Sequence, residues 1–153
     1  MDNLSLQQRT DATRRFCVGR VPRLQDVALI LECLSPHYCL FLALDASLIY
    51  DEEVRRTAKL LLDRGIAYFC VWGPDCERVH DLFDLERLPQ EPRDRVVMTT
   101  WHSKESLSKA LWFFEHCAEP TEGFAADCGD WVALSIESMS WAEQIRAAFI
   151  AAR

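Results

Sequence analysis

The chain has 153 residues, half of them hydrophobic and 27% charged, with a net charge of −7. That is one globular domain's worth of chain, able to bury a core of its own. The negative balance argues against a nucleic-acid partner, which needs a basic footprint, and no apolar run nears the ~20 residues that span a bilayer.

Residues 1–21 mix both charges without periodicity and lack a secretory pattern, so a flexible arm and a cytoplasmic setting are expected, with a single domain over 22–153. Between 24 and 34, Leu24, Val27, Ile30, Leu31 and Leu34 fall at helical spacing, although their β-branched content leaves a strand open. Ser35-Pro36 interrupts the run. Residues 37–44 are near-continuously apolar, as in a strand buried on both faces. An acidic start at Asp51, Glu52 and Glu53 and a close at Arg64-Gly65 bound a helix over 51–64. A second buried strand covers 66–72. Gly73-Pro74 opens a helix to about Leu88, and a loop follows over 89–94. A third strand is expected at 95–100, then a helix over 104–117 capped by Ser103, a loop over 120–129, a fourth strand at 131–136, and a last helix from Trp141 capped by Ser140.

Four strand–helix units predict an α/β fold. It should be a single mostly parallel sheet of four strands, or five, with helices on both faces, in a Rossmann- or flavodoxin-like arrangement with order 2-1-3-4. Ligands in such sheets bind beyond the carboxyl ends of the strands. There the sequence gathers Asp45, then Gly73, Asp75, Cys76, Arg78 and His80, then Thr100, Trp101, His102 and Ser103. Cys76, His80 and His102 are the catalytic candidates. With Gly73 as cap, Cys76 is the third helical residue, near backbone N–H groups that favour a thiolate, with His80 one turn on. Asp75 and Glu77 oppose that charge. On the helical wheel Val79, Leu82 and Phe83 form the buried stripe, and Cys76 lies at its border, where a cysteine is usually packing. Asp45, Gly73, Asp75, Arg78, Thr100 and Ser103 are the ligand-binding candidates, with helix starts as anion donors. Asp45 also suits an Asx turn. His37 and His116 fall toward the opposite edge.

The seven cysteines contain no CxxC pair and read as reduced thiols. There is no G-x-G-x-x-G, Walker A, G-x-S-x-G or H-E-x-x-H motif, so no metal or other cofactor is implied. Two readings follow. One is a small-molecule or anion site at the carboxyl edge, with catalysis through Cys and His. The other is an acidic protein-binding module, such as an inhibitor or immunity protein, anchored by Trp101 or by Trp112, which lies off the apolar stripe of its helix. A pocket holding both His80 and His102 favours the first, and a flat acidic face with exposed tryptophan the second.

The run Val71-Trp72-Gly73-Pro74-Asp75-Cys76-Glu77-Arg78-Val79-His80-Asp81, with Thr99-Thr100-Trp101-His102, Glu105-Ser106-Leu107 and Ala110-Leu111-Trp112-Phe113-Phe114, resembles a family of small bacterial cytosolic proteins of unknown function. The resemblance spans roughly positions 38–136. It implies a stand-alone domain and brings no activity or catalytic assignment.

Overall fold

The apolar runs that read as buried strands form the middle of one sheet. In a computed structural model describing residues 6–92 and 95–151, β3 (His37–Ala43), β4 (Ile66–Trp72) and β6 (Cys128–Ile136) are buried almost throughout. Three further strands flank them: β1 (Gln7–Asp11), β2 (Arg14–Val21) and β5 (Met98–His102). The order is β1-β2-β6-β3-β4-β5, with β1 antiparallel to β2 and every other pair parallel.

The fold is thus the expected mixed α/β domain, but with six strands rather than four or five. The four expected strands lie in the order β6-β3-β4-β5, not 2-1-3-4, because the chain returns from β5 to seat β6 against β3. The supposed arm supplies the other two. Positions 1–5 lie outside the described residues, but Arg14–Val21 pairs along β6, burying Phe16, Cys17, Val18 and Val21. An ion pair between the half-exposed Arg15 and the buried Asp130 fixes this register. Asp130 of β6 accepts from Arg15 Nε at 2.7 Å and Nη2 at 2.9 Å, and from the Ser35 backbone N–H at 2.6 Å. Burial opposes the Asp130 charge, yet Arg15 and Ser35 outweigh it and hold the carboxyl below its ordinary range.

Helices cover both faces, α1 (Asp51–Asp63) and α2 (Cys76–Arg87) on one. A run of 3-10 turns over Leu24–Cys33 shares that face, with Leu24, Leu42, Val54, Leu61, Phe69 and Phe83 meeting around one apolar void. On the other face Phe114 of α3 (Leu107–His116) packs on Phe41, and Phe149 of α5 (Met139–Phe149) stacks on Phe16. A single turn, α4 (Glu122–Ala125), interrupts the expected loop before β6.

Several helix starts differ from expectation. Asp75, not Gly73, caps α2, so Cys76 is the first helical residue rather than the third. Ser106 caps α3 by accepting from the Lys109 N–H, and Ser138 caps α5 by accepting from the Trp141 N–H, displacing Ser103 and Ser140. Arg93 and Asp94 of the expected loop, and Ala152 and Arg153 of the last helix, lie outside the described residues.

Candidate functional site at the carboxyl edge of the sheet

The loops after β3 and β4 are bound to each other. Leu44 N–H donates to the Trp72 carbonyl at 2.9 Å, and Ala46 N–H to the Pro74 carbonyl at 3.0 Å. Gly73 lies between, at φ 124°, where a Cβ would come 2.1 Å from the Leu44 carbonyl oxygen. Its missing side chain therefore serves this backbone contact. Arg78 clamps the same corner. It donates to Asp75 at 2.8 Å, to Asp51 at 2.6 Å, and to the Ala46 and Ile49 carbonyls at 2.6 and 2.9 Å. A guanidinium with its donors so committed is a strut between loops rather than a ligand anchor. Asp75 is exposed in the left-handed region and engaged by Arg78. Asp45 forms the Asx turn that its sequence allows, accepting from both the backbone and the hydroxyl of Ser47, which hold its carboxyl low.

Cys76 is fully buried. Burial pushes its thiol up, and the backbone N–H groups of His102, Gly73 and Cys76 itself only partly offset this. That environment does not activate a nucleophile.

The two histidines occupy opposite faces of β5. His80, reaching from α2, places Nε2 3.0 Å from Thr99 Oγ1, pairs through Nδ1 with Asp81 at 2.9 Å, and lies 4.4 Å from the Trp101 ring. His102 belongs to β5 itself. Its Nε2 is 3.2 Å from Thr100 Oγ1, its Nδ1 pairs with Glu105 at 2.8 Å, and its ring meets Phe113 of α3. Neighbouring strand residues point to opposite faces, so Thr99 and Trp101 belong to the α2 side and Thr100 and His102 to the α3 side. The single cleft expected to hold both histidines is absent among the described residues. Each is instead a buried ring saturated by a carboxylate and a threonine. Thr99 donates its own proton to Asp84 at 3.0 Å, so His80 does not serve it as a base. Asp81 adjoins His80 in the chain and Thr99 and Glu105 each lie three residues from His102, but which ring takes which partner depends on the face each helix covers.

Ser103 lies exposed between β5 and α3 and caps nothing, so the expected helix-start donor at that position is missing. The tryptophans fare differently. Trp101 remains 41% exposed on β5 and Trp112 60% exposed on α3, beside His116. His37 and His116 lie at the opposite edge, as expected; His37 there lines a cavity of about 240 Å³ with Arg95 and Phe124. A crevice of about 350 Å³ does open at the carboxyl edge, between β3 and β6, whose connections leave for opposite faces. Arg23, Asp45, Ser47 and Glu137 line it, and Glu137 sits at φ 68°. Among the described residues no group of three or more His, Cys, Asp or Glu could hold a metal ion, and no helix is long and apolar enough to cross a membrane.

Sheet and edge together define a mostly parallel, six-stranded α/β domain. The chain belongs to the DUF7684 family, a domain of unknown function, which it matches over residues 20–152. No curated protein matches it.

Proposed function

We propose that this domain is a protein-binding module of the bacterial cytoplasm, with Trp101 at the centre of its contact face. The carrying observation is a half-exposed indole on an outermost strand, flanked by acidic side chains, in a corner where the candidate catalytic groups are consumed internally. A large aromatic ring kept partly in water at a sheet edge suits an anchor that a partner desolvates. The acidic balance would steer a basic partner toward it. Affinity capture from native cells, quantified by mass spectrometry, tests this. A specific partner should be lost with Trp101→Lys bait and retained with Trp112→Lys bait. Equal capture by all baits would sink the assignment.

A second reading, a small-molecule site, is supported by the crevice between β3 and β6, which occupies the place where open α/β sheets bind ligands. Its lining includes Asp45, Glu53 and Glu137 beside Arg23, which suits a hydroxylated or cationic ligand better than an anion. A thermal-shift screen of small polyols and amines is the check, and stabilisation that survives Glu137→Gln and Asp45→Asn would count against this crevice.

A further inference from the structure

From the edge geometry we infer that the domain binds its partner by strand addition, taking an extended basic segment onto the outer edge of β5. This rests on the binding-module reading and specifies the mode and the chemistry of the partner.

The two ends of the sheet are guarded unequally. At one end β1 carries Arg9 and Asp11, an ion pair at 3.6 Å, and Arg9 also donates to the Phe149 carbonyl. Charged edges of this kind repel further strands. At the other end β5 is Met98-Thr99-Thr100-Trp101-His102, with neither a formal charge nor a proline, and with Met98 and Trp101 exposed. Among the described residues β4 is its one strand neighbour.

The side that each backbone group faces can be assigned. The Trp72 carbonyl accepts from Leu44 on the β3 side, so Val71 faces β5, and because Val71 lies opposite Trp101 its ladder bonds run to Thr100 and His102, which puts His102 on the β4 side. Backbone groups alternate along a strand, so Thr100 also faces β4, while Thr99 and Trp101 turn their N–H and C=O groups outward. None of those four groups has a hydrogen-bond partner among the described residues. An added strand would find two donors and two acceptors at ladder spacing beside a tryptophan.

The charge of the incoming segment follows from the two histidine clusters. Asp81, 64% exposed, is held by the ring that lies against Trp101, and Glu105, 40% exposed, by the ring of His102. One carboxylate thus stands on each face of β5, near its free edge. A segment bearing Lys or Arg on alternate sides meets an acid on either face. A second copy of this chain would bring its own Asp81 and Glu105 against the same acids.

The probe is a synthetic peptide in which pairs of lysines alternate with pairs of valines, so that lysine stands on both faces of the added strand, with a glutamate–valine peptide of the same pattern as its counterpart. Residue-resolved amide exchange of the full chain is the readout. In the free protein the Thr99 and Trp101 amides should exchange freely and Thr100 should be protected. Saturating lysine–valine peptide should slow the two outward amides by about tenfold or more, whereas the glutamate–valine peptide should not. Trp101→Ala should weaken binding, and Trp101→Pro, which also removes an outward N–H, should abolish it, with the melt of each variant confirming its fold. Protection by both peptides would overturn the charge assignment. Contact with Trp101 without amide protection would overturn strand addition while leaving the binding module intact. Absence of binding, or binding centred on Trp112, would overturn both. A dimer in free solution at physiological salt that protects these amides would make the occupant a second copy and overturn the basic partner.

Discussion

A residue's chemistry matters less at this corner than what already holds it. Gly73 follows from the Leu44 carbonyl, 2.1 Å from where a Cβ would stand, and from a φ of 124°. Gly73→Ala must therefore strain the backbone and push two hydrogen-bonded loops apart. The expected cost is on the order of 3 kcal/mol, read from urea unfolding, with both terms in the same direction. Cys76 shows the same priority. From sequence its place beside a helix start offers N–H groups that favour a thiolate, opposed by Asp75 and Glu77. In the fold it is the first helical residue, fully buried, with its thiol pushed up by desolvation. Cys33 and Cys117 are exposed, whereas burial raises the Cys17 thiol to about 11. Iodoacetamide mapping on the native protein near neutral pH should label Cys33 and Cys117 first and leave Cys76 among the slow group. Early labelling of Cys76 would show that its burial is readily lost.

Elements that announce themselves by an apolar run were legible; those stabilised by distant partners were not. β3, β4 and β6 are buried on both faces and read as unbroken hydrophobic stretches. β2 has a short apolar centre between arginines, and what makes it a strand is β6, more than a hundred positions away. The helix caps erred for a related reason. Serines stand at both 103 and 106 and at both 138 and 140, and the choice depends on where the preceding strand ends. β5 runs to His102, and α3 starts later than expected. The candidate site inherits this limit. That Cys76, His80, Thr100 and His102 fall at one edge was readable from the alternation of elements. That the histidines lie on opposite faces required knowing that α2 and α3 do. The overlooked strand also makes a sharp prediction. Asp130→Asn removes the charged acceptor of Arg15 and weakens the anchor of β2, at a cost of about 2 kcal/mol in urea unfolding near neutral pH. Because the folded-state carboxyl lies below its unfolded value, its contribution is present above the unfolded pKa and is lost as pH falls through the folded one. The stability gap between wild type and variant should therefore narrow as the pH drops below about 4.

Across the whole molecule, a net charge of −7 and one bare strand edge work against each other. An uncharged edge with an exposed tryptophan is a template for pairing with a copy of itself. Antiparallel self-pairing about Thr100 would set Thr99 opposite Trp101 of a second copy, a favourable cross-strand pair. The carboxylates of Asp81 and Glu105 beside that edge, and the overall like charge, hold two copies apart. This protection is electrostatic and therefore screened by salt. The Debye length falls from about 10 Å at 0.1 M to about 3 Å at 1 M, shorter than the separation across which two acidic edges must repel. Sedimentation velocity should accordingly find a monomer at low ionic strength and concentration-dependent association near 1 M sodium chloride. Trp101→Lys removes the indole and places a charge on the edge, so this variant should stay monomeric at both salt concentrations. Trp112→Lys leaves the edge untouched and should associate like the wild type. Association that persists in Trp101→Lys but vanishes in Trp112→Lys would move the sticky surface from the sheet edge to the outer face of α3.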